Sequence, residues 1–544
     1  MLSKFLSFFV IFGIAYISTN LPISAIAKNI RSEKIMHIKS GDWIVSSNVE
    51  IPDNVTLKVA GGTNIVITEG KYLTIHGTMD APITRLFTGN GKVIFDSDHS
   101  QVVYPQWWGA KGDGITDDTA ALQAAVNSFT SKGGEIYISN GVYTIDSLGM
   151  KSNITVRGNG ETSILQQKSG AMYCISTSPT NNKIDTSRNF SINQKNINFN
   201  NLFFRGTVVS DGFKEPYHLL FIESTSQVTI HKCTFSGFRG DGVMIYGGKL
   251  VHSYGLHSSN ISITECIFDG INKNNRNGVS VLDCDGLLIK KCSFKNCTRS
   301  NMPGAIDIEP DMPHDIVRNI KIDNNSFENI GGVNTIQFLD NNFVTLRIPT
   351  QQIEITNNVI NGVSGTNGIY VVRYHVVNAT TAPTSILISN NKVKDTKRSF
   401  VIIGVKDIKV ENNLFDRCEL TPYISDSTNT FNSAVFDIKI TGNTFKNLSQ
   451  KDGLGLSIFG VENIEFINNV FDNIGKSDGS LGYALFFRKE GGPAKKVTIR
   501  NNTFKGKNTT IAIQRAKYQV THQELNHISN NIFLGSSVIK LPSI

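Results

Sequence analysis

One phrase recurs along most of this 544-residue chain: apolar-x-apolar-x-x-Asn-x-Phe. In one copy it is Ile320, Ile322, Asn325 and Phe327. Further copies occupy 353–360, 386–393, 408–415, 438–445, 464–471, 497–504 and, shortened, 528–533, with upstream copies at 197–204, 228–235, 261–268 and 287–294. They begin 22 to 33 residues apart. Between them sits a second short alternating phrase, at 242–246, 278–282, 305–309, 335–339, 368–372, 455–459 and 510–514. Each repeat thus holds several strands of period two, each with one apolar stripe. A single coil cannot bury those stripes, whereas stacked coils share one continuous core. The pattern predicts an all-β chain wound as a parallel β-helix.

The repeat also accounts for an unusual composition. The chain has 55 Asn and 47 Gly but 14 Pro, which suits many turns and disfavours helices. Alignment of the copies places Asn325, Asn358, Asn391, Asn413, Asn443, Asn469, Asn502 and Asn531 at one turn position. Stacked amides there can bond along the axis and satisfy buried turn backbone. Cys233, Cys266 and Cys292 take the same position upstream, as small buried side chains. No disulfide is predicted from the seven Cys.

Charge excludes several function classes. Only 18% of residues are charged and the formal net charge is +8, with no dense Lys/Arg block. Disordered, coiled-coil and nucleic-acid-binding classes are therefore demoted. At the N-terminus, Lys4, an apolar run over 5–17 and the triplet 25–27 read as a secretory signal, cleaved before Lys28. The expected location is secreted or periplasmic, with no membrane span after cleavage. The expected division is a signal peptide over 1–27, a β-rich segment over 28–104, and the β-helix over 105–544. One helix is expected near 118–130, started by Asp117 or Asp118 and stopped by Gly133 and Gly134. It is placed as an N-terminal cap on the solenoid, whose open end needs cover.

The stretch 104–119 (Tyr104, Pro105, Trp107, Trp108, Gly112, Asp113, Asp117, Asp118), the helix, and 133–143 resemble the opening segment of pectate-lyase-like right-handed parallel β-helix proteins. That group includes rhamnogalacturonase- and epimerase-like proteins and tailspike depolymerases. With the repeats, the resemblance runs over about 50–540. It implies a right-handed coil and a polysaccharide partner. It leaves the reaction open, because the group contains hydrolases, lyases, epimerases and non-catalytic members. It also leaves monomer and homotrimer open. The polygalacturonase signatures Asn-Thr-Asp, Gly-His-Gly and Arg-Ile-Lys are missing.

Chemistry is expected on the outward face of the second-phrase strands. Its stacked residues are Met244 and Tyr246, Ser280 and Leu282, Asp307 and Glu309, Gln337 and Leu339, then Tyr370 and Val372. This face is apolar and aromatic, which suits sugar rings. Asp307 and Glu309 share it at about 6.6 Å between Cα atoms. Like charges that close push one pKa up, which gives the acid and base a glycosidase needs. The catalytic candidates are Asp307, Glu309 and a helper, Asp283. The substrate-binding candidates are Tyr246, Tyr370, Arg373, Tyr374 and His375. The expected function is glycosidic-bond hydrolysis in a neutral or acidic polysaccharide, without a cofactor. The alternatives are a polysaccharide lyase or uronate epimerase, in which Asp307, Glu309 and Asp283 could hold Ca²⁺, or a non-catalytic glycan-binding β-helix.

Overall fold

The computed structural model describes residues 10–11, 14–16, 34–98, 101–178, 194–248, 257–340, 346–363, 365–374, 382–426, 436–449, 451–476, 478, 482–487, 494–506, 509–515 and 527–534. The proposed signal cleavage site and His375 lie outside them. The chain forms two compact units, one of 1–184 with 194–204, the other of 185–193 with 205–544. Tyr104 and Pro105 fall inside the first.

In the first unit, the β-rich segment already coils. Lys34–Ile38, Val55–Val59 and Thr78–Asp80 pair in parallel, as do Gly41–Val45, Thr63–Ile67 and Phe87–Thr88, and Val49–Ile51, Tyr72–Ile75 and Lys92–Phe95. Alternate residues such as Val55, Leu57 and Val59 are buried. A helix, α1, spans Thr119–Ser128 and buries Leu122, Ala125 and Val126. Asp118 stands at its N-cap position, but its carboxylate accepts the Lys111 and Gly112 N–H groups instead. Asp117 accepts the Thr119 N–H at 3.0 Å. α1 ends at Phe129, before the glycines expected to stop it. Phe129 packs on Phe95 with ring centroids 6.1 Å apart.

In the second unit, three parallel sheets stack coil on coil. Sheet 1 runs Thr225–His231, Ser259–Thr264, Cys284–Lys290, Val317–Asp323 and onward, and is made of the first half of the recurring phrase. Sheet 2 holds its second half, from Thr234–Ser236 through Ile267–Asp269, Ser293–Lys295 and Ser326–Glu328. Sheet 3 is the second phrase: His218–Glu223, Val243–Tyr246, Val279–Val281, Ile306–Ile308, Asn334–Asp340, Asn367–Arg373, Phe400–Ile403 and Tyr423–Ser425.

The Asn ladder lies in the turn between sheets 1 and 2. Asn358 Oδ1 accepts both the Asn325 N–H and Asn325 Nδ2 at 3.0 Å, while Asn358 Nδ2 donates to Ile322 O at 2.9 Å. The same bonds repeat down the column to Asn531. The residue before each ladder Asn takes a left-handed backbone, as Asn324 does at φ 57° and Asn357 at φ 58°. Asn adopts that conformation at little cost, which explains the doubled Asn. All seven Cys are buried, and none forms a disulfide. Beside the ladder, Phe235, Phe268, Phe294 and Phe327 stack at 5.0, 4.7 and 5.0 Å.

Candidate active site

Register fixes the outward file of sheet 3. Met244 pairs with Ser280, Ser280 with Asp307, Asp307 with Gln337, and Gln337 with Tyr370. Their neighbours Val279, Val281, Ile306, Ile308, Ile336 and Phe338 fill the core, as the alternation requires. The outward face is less open than expected. Asp307 is 1% exposed and Val401 is also 1% exposed. Glu309 is half-buried and Asp311 exposed.

Asp307 sits in a braced polar cluster. Gln337 Nε2 donates to its Oδ1 at 2.9 Å, and Asn277 Nδ2 to its Oδ2 at 3.2 Å. Arg276 bridges to a second buried carboxylate, with Nη1 3.0 Å from Asp241 Oδ2 and Nη2 3.5 Å from Asp307 Oδ2. Arg276 also donates to Ser280 Oγ at 2.9 Å, and its Nε lies 3.2 Å from Glu215 Oε1. His218 Nδ1 lies 3.1 Å from Asp241 Oδ2. One guanidinium thus serves two carboxylates shut off from water.

The electrostatics follow from that shortage. Burial pushes Asp307 up to about 7; Arg276 pulls it back, while Glu309 and Asp241 add to the rise. Burial also works against the charge on Asp241, but Arg276 and His218 hold it below the usual value. The proton therefore settles on Asp307. Burial raises Glu309 too, with Asp311 and Glu215 adding repulsion. Asp307 can thus hold a proton near neutrality, and Glu309 is shifted in the same direction, toward what a general acid needs.

The other predicted residues disperse. Asp283 is buried away from this cluster: it accepts the Ser258 and Ile316 N–H groups at 3.1 and 2.9 Å and takes His257 Nδ1 at 2.6 Å. It orders turns and orients an imidazole, so it is not placed as the helper of Asp307. Asp307, Glu309 and Asp283 do not converge on a cation, and no group of three or more His, Cys, Asp and Glu among the described residues could hold one. Arg373 is 3% exposed and ion-paired with Asp340 at 2.6 Å. It ends an inward-packed strand, where no ligand reaches it. Tyr246 is half-buried and stacks on Phe221 at 6.2 Å. Tyr370 and Tyr374 share a hydroxyl–hydroxyl bond, and both pack on Val372, Val401 and Ile403.

Arg276 and Asn277 were missed. Both lie in an Asn-rich turn (Asn272, Asn274, Asn275) that reads as plain turn chemistry. A signal existed nonetheless. Asp241 and Asn277 each stand two residues before a sheet-3 strand, Asn334 and Asn367 each begin one, and all four are buried. They brace successive coils, with Asn367 Nδ2 donating to Asn334 Oδ1 at 2.9 Å.

Residues 107–326 match the family described as Rhamnogalacturonase A/epimerase, pectate lyase-like. Two curated relatives are phage depolymerases. Depolymerase 1, capsule KN3-specific, of Klebsiella phage KN3-1 is 36% identical over 16% of this chain and 12% of its own length. The capsule K30/K69-specific depolymerase of Klebsiella phage K64-1 is 27% identical over 37% of this chain and 22% of its own. The chain therefore spans less than a quarter of either relative. Pre-mature gene product 12 of bacteriophage phi29 shares the fold, with TM-score 0.56 and 15% identity over 81% of this chain and 57% of that one.

Proposed function

We propose that the chain cleaves glycosidic bonds in a polysaccharide by hydrolysis at the outward face of sheet 3. The supporting observation is the raised Glu309 carboxyl beside the braced Asp307 cluster. Glu309, half-buried, gives its proton to the leaving oxygen. Asp311, exposed two residues on, activates the water. Asp307 is too buried to touch a sugar and acts as a positioning residue that holds Arg276 and keeps the field around Glu309. In this reading the coil is right-handed, as parallel crossovers are, α1 covers the open end of a core, and the chain works outside the cytoplasm. No helix among the described residues is long and apolar enough to cross a membrane.

The second reading, a lyase or epimerase acting on uronate, has one observation in its favour. His257 is half-buried, fixed by Asp283, and its pKa is raised by that hydrogen bond. Such an imidazole suits proton transfer. Product analysis separates the readings. Hydrolysis of a panel of neutral and acidic polysaccharides yields new reducing ends without ultraviolet absorbance, and Glu309→Gln removes them. An unsaturated, absorbing product would establish lysis. Binding without turnover of any polymer would make the chain a glycan-binding protein.

A further inference from the structure

A cavity of about 310 Å³ opens on sheet 3 beyond the carboxylate cluster. Its lining includes Tyr374, Tyr423 and Phe459 together with Arg398, Asp426 and Asp452. That volume is at the small end of ligand sites, which run roughly 300–1,000 Å³. The walls are built rather than incidental. Tyr423 and Phe459 stack at 6.1 Å with planes 25° apart. Arg398 lies over the Tyr423 ring at 5.7 Å and donates Nε to Thr421 O at 3.0 Å. Asp452 Oδ2 accepts both the Thr421 N–H and its hydroxyl at 3.1 Å.

The ladder gives its distance from the proposed chemistry. Asp307 pairs with Gln337, Gln337 with Tyr370, Tyr370 with Val401, and Val401 with Tyr423. Four steps of about 4.8 Å make roughly 19 Å along the axis. Tyr370 lies between, two steps from Asp307, and its hydroxyl bonds to that of Tyr374 in the cavity wall. The cavity carries two carboxylates against one guanidinium already engaged with a ring and a carbonyl. The chemical cluster is likewise rich in carboxylates, with Glu215, Asp241, Asp307, Glu309 and Asp311. Neither place favours a uronate.

We infer that the cavity is a distal subsite for a neutral sugar unit of the polymer cut at Glu309. This inference rests on the proposed glycan-cleaving reading and adds a length and a charge to it. A chain must span roughly 19 Å to engage both places, so the protein acts within long polymers and neglects disaccharides. The sugar ring stacks on Tyr423 and Phe459, and its hydroxyls meet Asp426 and Asp452.

The test is binding by saturation-transfer NMR and calorimetry, with maltohexaose, cellohexaose, chitohexaose and hexagalacturonate as probes. At least one neutral hexamer should bind, and its dimer should bind at least tenfold more weakly. Tyr423→Ala should weaken the hexamer at least tenfold, and Tyr423→Trp should restore it, which a merely misfolded variant would not do. Glu309→Gln should keep hexamer binding while losing cleavage. Binding of hexagalacturonate alone, binding of no hexamer, or indifference to Tyr423→Ala would overturn the subsite. Cleavage by Glu309→Gln with intact Tyr423-dependent binding would overturn the reaction assignment and leave the subsite standing.

Discussion

Arg276 stands between two buried carboxylates, Nη1 at 3.0 Å from Asp241 Oδ2 and Nη2 at 3.5 Å from Asp307 Oδ2. Removing the cation would leave Asp241 with His218 alone and Asp307 with only the neutral Asn277 and Gln337 amides, both in low dielectric. Arg276→Ala should therefore cost about 3–5 kcal/mol of stability. Arg276→Lys should recover part of this, because a single ammonium cannot reach both acids as the fork does. Urea unfolding of the two variants checks this; equal midpoints for wild type and Arg276→Ala would show that the bridge contributes nothing.

Asp307 gives stability a pH dependence of definite sign. Its folded pKa stands at about 7 against the ordinary 3.8. Between these values the folded chain keeps a proton that the unfolded chain has released. Its contribution to stability is therefore full below the unfolded value and falls as pH rises through the folded one. Asp307→Asn should flatten that fall. Urea midpoints for both proteins between ~pH 4 and ~pH 8 read the difference. Parallel curves for wild type and variant would mean that Asp307 is ionised throughout.

These two residues show what the sequence could and could not reveal. Asp307 and Glu309 were legible because strand alternation alone puts them on the outward face. The ladder was legible because one turn recurs in every coil. Arg276 was not, because its role depends on a turn folding back over the neighbouring coil, and turn conformation has no period to read. Asp283 was misplaced for the same reason: it follows a strand, and only the turn decides that its carboxylate faces Ser258 and Ile316. The burial of Asp307 was not legible, because the sequence gives the direction of a side chain, not what covers it.

Glu309→Gln keeps size and hydrogen bonding but removes the transferable proton. On the hydrolytic reading, turnover should drop roughly 10²–10⁴-fold. The wild-type rate should also decline as pH climbs past the raised Glu309 pKa, because the acid must enter the reaction protonated. Initial rates against pH, measured by reducing ends, check both points. An alkaline limb that persists in Glu309→Gln would assign that limb to another group.

The ladder predicts an unusual substitution pattern. Asn391 Oδ1 accepts the Asn358 N–H at 2.9 Å and Asn358 Nδ2 at 3.0 Å, and Asn391 Nδ2 donates to Ile355 O at 2.8 Å. Asn391→Ala strips partners from several buried groups, at about 1–3 kcal/mol for each one left unsatisfied. Asn391→Asp offers no donor for Ile355 O and should be worse. Asn391→Cys should be mildest, since Cys292 at the equivalent position points Sγ at Ile263 O, 3.5 Å away, and at Lys290 O, 3.4 Å away. Thermal midpoints should rank Cys above Ala above Asp; Ala at wild-type stability would remove the ladder from the account of the fold.

Arg373 is a substrate-binding candidate by sequence, and its position predicts otherwise. Its Nη1 lies 2.6 Å from Asp340 Oδ2, with both side chains nearly shut off from solvent. Burial lifts the Asp340 pKa to about 6, and Arg373 opposes that rise. Arg373→Ala would strand the carboxyl in the interior, which then protonates. The expected loss is about 3–5 kcal/mol, easing at low pH where Asp340 is neutral. The paired replacement of Arg373 by Met and Asp340 by Leu removes both charges and should restore much of the loss. Glycan affinity, by contrast, should stay unchanged in the double variant, because both side chains are shut off from solvent. A double variant as stable as wild type but with weakened oligosaccharide binding would return Arg373 to the ligand.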